Sequence, residues 1–343
     1  MAAHTTLRLG GPPRRLVVAT SDEQIVRCVR EATRHGEPVL LLAGGSNVVV
    51  ADEGFPGTVV LIRSRGVRVL AEEADRVTLR VAAGEPWDAF VAGAVAAGRS
   101  GVECLSGIPG STGATPIQNV GAYGQEVAET VTAVQVYDRV ADAVVTKPAA
   151  ECAFAYRSSV FRHSDRWVVL SVDFRLTRAP LSAPIRYAEL ARALGVEIGD
   201  RVPLADARAA VLTLRAGKGM VLDPDDPDTC SVGSFFTNPV LDAKAYERLC
   251  ERAGDLGPPP SWPGAGGVVK VSAAWLIDKA GFTKGYAGAG GVAISGKHTL
   301  ALTNRGSGTT TALLALAREI RDGVRARFGV TLEPEPILVN CSL

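Results

Sequence analysis

The segment Gly107-Ile-Pro-Gly-Ser-Thr-Gly-Ala-Thr-Pro-Ile-Gln-Asn-Val-Gly-Ala-Tyr-Gly124 is the most informative stretch of this sequence. Five glycines recur along it, with prolines and amide side chains between them. Such a loop lets a ligand approach the backbone closely and offers fixed amide donors and acceptors, as a flat polar ring system requires. By composition alone it is either a ligand-binding loop or a cluster of structural turns.

A second glycine turn, Gly44–Asn47, separates the strand-like runs Val39–Leu42 and Val48–Val50. Its sequence is Gly-Gly-Ser-Asn, and small residues in a row let backbone N–H groups converge on an anion. A pyrophosphate group would suit such a concave turn.

Two other glycine patterns resemble nucleotide-binding motifs but lack features that those motifs require. Residues 288–293 have GxGxxA spacing, but a predicted turn precedes them and a predicted strand follows, the reverse of what a dinucleotide fingerprint needs. Residues 291–298 resemble a phosphate loop, yet they lack the hydroxyl residue that would bind magnesium. We predict a hairpin with a Ser-Gly-Lys turn here, which argues against a classical Rossmann dehydrogenase or a kinase.

Composition narrows the class of protein. The chain has 343 residues, 47% of them hydrophobic and 21% charged, enough for two or three domains. A net charge of +1 provides no general attraction for nucleic acid or an anionic membrane. Six cysteines without CxxC spacing and no secretory leader after Met1 favour free thiols in the cytoplasm. No apolar run approaches roughly 18 to 20 residues, and no Cys/His cluster indicates a metal.

Helical and strand periods alternate along the chain. A capping box at Ser21 starts a first helix, and Pro86 starts a second that Gly98 ends. A connection is predicted over residues 177–203. The remaining predicted elements are strands near 131–137 and 167–176, helices at 206–214, 272–281 and 313–328, a hairpin of 292–295 with 300–303, and a closing strand over 331–339.

Further motifs follow the two glycine loops in a characteristic order, from about residue 10 to residue 340. They are Tyr156-Arg157-Ser-Ser, Val232-Gly-Ser234-Phe-Phe-Thr-Asn238-Pro, Ser272-Ala-Ala-Trp-Leu-Ile-Asp278 and Leu332-Glu333-Pro-Glu. With these motifs the chain resembles the UDP-N-acetylmuramate dehydrogenase family, also called UDP-N-acetylenolpyruvoylglucosamine reductases.

The resemblance implies an α+β fold. A two-subdomain FAD-binding domain of the vanillyl-alcohol oxidase (PCMH) type would precede a C-terminal α/β substrate-binding domain, with the last strand returning to the FAD domain. The implied boundaries are 1–62 for the first FAD subdomain, completed by about 305–343, then 63–202 for the second and 203–304 for substrate binding. A cytoplasmic monomer is expected.

The resemblance also implies a reaction. NADPH would reduce FAD, and the flavin would pass a hydride to UDP-GlcNAc-enolpyruvate, giving UDP-N-acetylmuramate for peptidoglycan. The enolate-like charge that develops needs a cationic clamp and an acid. By motif match Arg157 would hold the substrate carboxylate, Ser234 would donate the proton, and Glu333 would assist.

Apart from Lys284, whose point charge could meet the diphosphate, the remaining site residues come from the same motif matches. The FAD-binding residues would be Gly44, Gly45, Ser46, Asn47, Pro109, Gly110, Thr112, Thr115, Gln118, Asn119, Gly121 and Arg215; the substrate contacts would be Tyr187, Lys218, Asn238 and Lys284. Tyr187 matches the tyrosine of the substrate-closing loop in the longer branch of the family. Thr237 departs from the family's frequent lysine, and the absence of an arginine after Glu333 leaves Glu335 and Ile337 without a role.

Two alternatives remain open at this stage. An FAD-linked oxidase of an alcohol or sugar would share the flavoprotein fold but would not need Ser234 and Glu333 together. A flavin or sugar-nucleotide binding module without catalysis would keep the glycine loops and drop the acid.

Overall fold

The computed structural model of the protein describes all residues from 1 to 343. Its α-helices are α1 (Asp22–Arg34), α2 (Trp87–Ala96), α3 (Ala188–Leu194), α4 (Leu204–Ala216), α5 (Ala243–Ala253), α6 (Ala273–Lys279) and α7 (Thr310–Phe328). Its strands are β1 (Pro13–Ala19), β2 (Val39–Leu42), β3 (Val48–Val50), β4 (Phe55–Ile62), β5 (Val67–Glu72), β6 (Arg76–Ala82), β7 (Arg99–Ser100), β8 (Gly121–Ala122), β9 (Gln125–Glu126), β10 (Val131–Asp138), β11 (Ala143–Pro148), β12 (Trp167–Arg178), β13 (Ser231–Ser234), β14 (Val240–Leu241), β15 (Ser261–Pro263), β16 (Val269–Val271), β17 (Val292–Ile294), β18 (Ala301–Asn304) and β19 (Ile337–Val339).

The helix ends follow the local capping signals of the sequence. The Ser21 hydroxyl accepts a hydrogen bond from the Gln24 N–H at the start of α1. The Gln24 side chain accepts from the Thr20 N–H, one residue before the position that a full capping box would use. The Ser272 hydroxyl caps α6 in the same way, and Gly329 ends α7 at a left-handed φ of 71°. These predicted helices are confirmed.

The chain divides into two compact units. The central unit comprises Pro13–Gly44 and Pro56–Gly217, and the terminal unit comprises Met1–Pro12, Gly45–Phe55 and Lys218–Leu343.

In the central unit, β1, β4 and β2 form a three-stranded sheet in which β2 and β4 run parallel. A larger antiparallel sheet has the order β11-β10-β12-β6-β5, with β7 pairing to β12. A short hairpin joins β8 to β9.

Three aromatic side chains pack together in the otherwise largely aliphatic core of the central unit. Trp87 and Phe90 project from α2 onto Phe174 of β12, with ring centroids 5.2 to 5.8 Å apart. All three side chains are buried, and each such ring removes a large apolar area from water. This packing fixes α2 on the large sheet, and the loop that begins at Gly107 follows in sequence soon after α2.

The terminal unit contains three small sheets. One has the order β13-β18-β17, a second has the order β14-β16-β15, and both are antiparallel. In the third, β19 pairs in parallel with β3, so the end of the chain returns to residues 48–50. The predicted hairpin at 292–303 is confirmed as β17 and β18, and its turn is Ser295-Gly296-Lys297.

The closing strand is shorter than the sequence predicts. We expected a strand over residues 331–339, whereas β19 comprises only Ile337–Val339. Pro334 and Pro336 have no N–H group to donate to a ladder, so the residues before β19 form only an isolated bridge. No helix in the structure has the length and apolar character needed to cross a lipid bilayer.

Candidate functional site

The two predicted glycine loops touch each other within the central unit. A Cβ atom on Gly44 would lie 2.6 Å from the Cα of Gly110. A Cβ on Gly113 would lie 2.5 Å from the Cβ of Ala83. A Cβ on Gly84 would lie 2.5 Å from the backbone nitrogen of Ser64. Backbone therefore packs directly on backbone, and only glycine fits at these positions. The result is a cradle without side chains, which we call the glycine cradle (Gly44, Gly84, Gly110 and Gly113).

Hydrogen bonds attach the long loop to the segment between β6 and α2. The Gly110 carbonyl accepts from the Trp87 N–H at 3.1 Å, and the N–H and hydroxyl of Thr112 both donate to the Glu85 carbonyl. The Thr115 hydroxyl donates to the Thr112 carbonyl at 2.8 Å. Pro109 and Gln118 lie half-buried in the same loop. The predicted threonines thus shape the loop through their own hydrogen bonds.

Asn119 also supports the loop from inside. Its side chain is 1% exposed, donates to Glu126 and to the Ala155 carbonyl, and accepts from the Ala128 N–H. Both ends of the amide are engaged within the protein, so the side chain supports the loop from inside. Asn119 as an FAD-binding residue stays a prediction.

Two polar groups in the central unit point to a ligand. The Ser111 hydroxyl is buried and has no hydrogen-bond partner in the protein, a costly arrangement unless a ligand or water completes it. Arg63, directly after β4, donates to the carbonyls of Ile62 and Ala43, beside Gly44. Burial lowers the pKa of the Arg63 guanidinium. A partly buried cation next to a glycine turn is suited to a phosphate group.

Arg157 contacts the long loop. Its guanidinium donates to the Gly121 carbonyl at 3.0 Å, and a Cβ on Gly121 would lie 3.4 Å from the Nη1 atom of Arg157. Arg157 itself has a φ of 51°, a left-handed conformation that is unusual for a non-glycine residue. The structure therefore brings the predicted cationic clamp onto the predicted flavin loop.

Arg215 lies at the end of α4. Burial lowers the pKa of its guanidinium, and Tyr123 and Asp88 act in the opposite direction. Asp88, in the first turn of α2, forms a bidentate ion pair with Arg208. Its carboxylate also accepts a hydrogen bond from the Gly107 N–H at 2.6 Å. The hydrogen bonds from Arg208 hold the pKa of Asp88 below its usual range. Asp88 thus ties the beginning of the long loop to α2 and α4.

In the terminal unit, the rest of the Gly44–Asn47 turn meets the N-terminal segment. Gly45 has a φ of 62°, and a Cβ there would lie 2.0 Å from the His4 carbonyl oxygen. The Gly45 carbonyl accepts from the Thr6 N–H at 3.1 Å. The Thr6 hydroxyl also donates to the carbonyl of Ser231, the first residue of β13. Thr6 therefore connects the predicted anion turn to the strand that ends at Ser234.

The predicted acid residues Ser234 and Glu333 lie on adjacent segments. The Thr237 N–H donates to the Glu333 carbonyl at 3.0 Å, and the Glu335 N–H donates to the Phe235 carbonyl at 2.8 Å. Phe235 and Phe236 are fully buried and fix this pairing, while Ser234 is half-buried and Glu333 is exposed. Two motifs far apart in sequence thus form one short antiparallel ladder.

The same closing segment reaches the anion turn. The Ile337 N–H donates to the Asn47 carbonyl at 2.9 Å, immediately before β19 pairs with β3. Residues 333–337 are therefore bonded at one end to the Ser234 motif and at the other to the Gly45–Asn47 turn, which also includes half-buried Ser46. The return of the chain to this region agrees with the fold that the resemblance implies, and the hydrogen bonds identify the atoms that make the connection.

The predicted substrate residues are distributed between the units. Asn238 accepts from the Ala273 N–H at the start of α6, which fixes the orientation of its side-chain amide. Lys218 is half-buried, whereas Lys284 is exposed in the segment after α6. In the central unit, Tyr187 is exposed at the start of α3. Thr237, in place of the family's lysine, also directs its hydroxyl toward the Glu333 carbonyl, at 3.4 Å.

Known proteins are similar in sequence to this chain over its whole length. The UDP-N-acetylenolpyruvoylglucosamine reductase of Salinispora arenicola (strain CNS-205) is 70% identical over 345 residues, covering 100% of this chain and 95% of that protein. The enzyme of the same name from Thermobifida fusca (strain YX) is 58% identical over 347 residues, covering 100% and 97%. The chain belongs to the UDP-N-acetylenolpyruvoylglucosamine reductase family.

Structural and domain comparisons agree with this family. A crystal structure of UDP-N-acetylenolpyruvylglucosamine reductase from Thermus caldophilus matches with a TM-score of 0.66 and 25% identity, covering 98% of this chain and 96% of that one. The FAD binding domain model matches residues 13–146, and the model of the reductase family's C-terminal domain matches residues 225–339.

The predicted fold, family and class of enzyme are therefore confirmed: the chain is an FAD-dependent oxidoreductase of peptidoglycan precursor synthesis. Its last strand pairs with β3, inside the range of the FAD binding domain, as predicted. FAD and NADPH, the cofactors predicted from the resemblance, are those of this reductase family.

The residues present fit FAD. The glycine cradle offers backbone without side chains, which a flat ring or a diphosphate can approach closely. The Ser111 hydroxyl is a buried polar group still to be satisfied, and Arg63 supplies positive charge. In this chain the cradle lies where the two predicted flavin loops meet.

Sequence reasoning missed Thr6, Arg63, Asp88 and Ser111. Arg63 follows the buried strand β4 directly, but a charged residue at a strand end is common and carries no specific signal. Thr6 and Asp88 gave none, because their partners are distant in sequence.

Proposed function

We propose that this chain reduces UDP-GlcNAc-enolpyruvate to UDP-N-acetylmuramate with electrons from NADPH. The observation that carries the proposal is the closing segment 333–337, hydrogen-bonded to the Ser234 motif at one end and to Asn47 at the other. That connection supports placing a hydroxyl, a carboxylate and an anion turn in one rigid site. When bound, FAD would supply the hydride for the terminal carbon of the enolpyruvyl group.

Arg157 is the proposed clamp for the substrate carboxylate. A guanidinium presents parallel N–H donors that match a carboxylate, and its charge opposes the negative charge that builds up during hydride addition. The hydrogen bond to the Gly121 carbonyl and the left-handed backbone of Arg157 hold the side chain in place. Such a fixed orientation matters because a preorganised donor loses little entropy when the substrate arrives.

Ser234 is the proposed proton donor. A serine hydroxyl is a weak acid, so a neighbouring group must stabilise the alkoxide or replace its proton. The Ser234 hydroxyl makes no hydrogen bond within the protein, which is consistent with a group that serves a ligand. Glu333, on the adjacent segment, is the proposed partner that polarises the intermediate or returns the proton.

The substrate's nucleotide and sugar need separate contacts. We assign these to Tyr187, Lys218, Asn238 and Lys284, with lysine ammonium groups as point charges for the diphosphate. The FAD contacts are assigned to the turn at Gly44–Asn47, to the loop containing Pro109, Gly110, Thr112, Thr115, Gln118, Asn119 and Gly121, and to Arg215. We further propose three functional parts: a first FAD subdomain at 1–62 with 305–343, a second at 63–202, and a substrate-binding domain at 203–304. The protein would act as a monomer in the cytoplasm.

The alternative FAD-linked oxidase is less well supported. An oxidase removes a hydride from its substrate and has no need to protonate a carbon afterwards. The pairing of the Ser234 and Glu333 segments has no role in that chemistry.

The decisive experiment separates the two half-reactions of Ser234→Ala. NADPH should reduce the bound flavin at nearly the wild-type rate, while reoxidation by UDP-GlcNAc-enolpyruvate should slow by at least about 10², the lower end of general acid catalysis. Ser231→Ala is the matched control, since that hydroxyl only accepts from the Gly233 N–H in the same strand. Equal losses in both half-reactions of Ser234→Ala would rule out the donor role.

A further inference from the structure

The hairpin of β8 and β9 has a tyrosine where tyrosine is unfavourable. Its two-residue turn is Tyr123-Gly124, with φ values of 49° and 82°. Both residues are left-handed, as in the type I′ turn that favours Asn-Gly. A bulky residue in this conformation is strained, and such strain persists where the surrounding structure or the function requires that side chain.

The turn contacts the two residues that precede α3. The rings of Tyr123 and Tyr187 pack edge to face, with centroids 5.5 Å apart and planes at 85°. A Cβ on Gly124 would lie 2.8 Å from the Cβ of Arg186, so the backbone of the turn also approaches closely. Arg186 forms a further ion pair with Glu129 at 3.0 Å, just after β9. Both residues before α3 are thus held by the hairpin.

The two tyrosines differ in how firmly they are fixed. Tyr123 is half-buried and packs against the small apolar cluster that includes Ile185, Leu190 and Val211. Tyr187 is 44% exposed, and its side chain does not cap α3. Tyr123 is therefore the anchored partner, and Tyr187 is an exposed ring whose direction depends on that anchor.

We infer that Tyr123 is a positioning residue that holds Tyr187 in place for the sugar-nucleotide substrate. The inference rests on the proposed role of Tyr187 as a substrate contact. Losing a favourable ring contact of this kind weakens the positioning of Tyr187 by about 0.5 to 1.5 kcal/mol, which corresponds to about a 2- to 12-fold change in substrate binding.

The test uses Tyr123→Asn in the FAD-loaded enzyme. Asparagine suits the turn, so the variant should remain folded, while the KM for UDP-GlcNAc-enolpyruvate should increase by about 2- to 12-fold. Tyr123→Phe, which keeps the ring, should restore the wild-type KM, and Tyr123→Leu provides a second ring-free variant should the asparagine variant fold poorly.

A double substitution separates this inference from the proposed function. If Tyr123 acts through Tyr187, Tyr123→Asn combined with Tyr187→Ala should have the same KM as Tyr187→Ala alone. A raised KM in Tyr187→Ala with a normal KM in both Tyr123→Asn and Tyr123→Leu would overturn the role of Tyr123 only. A normal KM in Tyr187→Ala would instead refute the proposed role of Tyr187, and the inference with it.

Discussion

Replacing Gly44 by alanine tests the glycine cradle directly. The added Cβ would lie 2.6 Å from the Cα of Gly110, whereas ordinary van der Waals contact begins at 3.4 Å, so the two loops must separate by about 0.8 Å. The obstructing atom belongs to the backbone and cannot rotate away. Gly44 does not have a left-handed φ, so the steric contact is the only penalty.

Overpacking of this kind costs about 1 to 3 kcal/mol. If the strain is relieved by opening the cradle, FAD affinity should fall by about 5- to 150-fold. The assay is flavin content after purification, followed by titration of the apoprotein with FAD under flavin fluorescence. A thermal unfolding scan of the apoprotein separates weaker binding from a general loss of stability.

Gly93→Ala is the matched control. Gly93 lies inside α2, and no heavy atom is within 4 Å of its Cβ position. Alanine should stabilise that helix by about 0.5 to 1 kcal/mol and leave FAD binding intact. Wild-type FAD affinity in Gly44→Ala would refute the argument that the two loops meet as a flavin cradle.

Two further predictions concern Arg157 and the ion pair at the end of β10. Arg157→Lys keeps the charge but loses the planar pair of N–H donors and the hydrogen bond to the Gly121 carbonyl, so kcat/KM for the enolpyruvyl substrate should fall by at least about tenfold. Half-buried Arg139→Lys is the control and should not change kcat/KM. An unchanged kcat/KM in Arg157→Lys would remove the clamp from the mechanism. Hydrogen bonds from Arg166 lower the pKa of Asp138 from 3.8 to about 2, so its carboxylate stabilises the fold above pH 3.8, and that contribution is lost as the pH falls through about 2. Asp138→Asn should therefore unfold at a lower urea concentration than wild type at neutral pH, with a difference that shrinks between pH 3.8 and pH 2, and a difference that does not depend on pH would contradict this assignment.

Much of the secondary structure followed from short-range signals. The hydroxyls of Ser21 and Ser272 cap the helices that the sequence predicts, because a cap needs only a partner three residues away. The hairpin of β17 and β18 was equally readable from its turn. The closing strand was overestimated because its apolar residues suggested a strand, while the missing N–H groups of Pro334 and Pro336 limited the ladder.

The sequence pointed to the candidate catalytic residues of the site but not to the contacts that support them. Motif order pointed to Arg157, Ser234 and Glu333, and the structure brings the segments of Ser234 and Glu333 together. For Asn119 the motif match predicts a cofactor contact, whereas its side-chain partners Glu126, Ala128 and Ala155 become visible only in the fold. Thr6 and Asp88 were missed for the same reason.

The sequence by itself determined the helix ends, the glycine turns and the family, because each depends on residue types at short or fixed spacing. Only the tertiary structure decided which glycines must remain glycine. Gly44 and Gly93 are chemically identical in the sequence, yet one faces the backbone of Gly110 and the other faces open space. The difference arises from packing between segments that are distant in the chain, and no local pattern records which atoms will occupy the neighbouring volume.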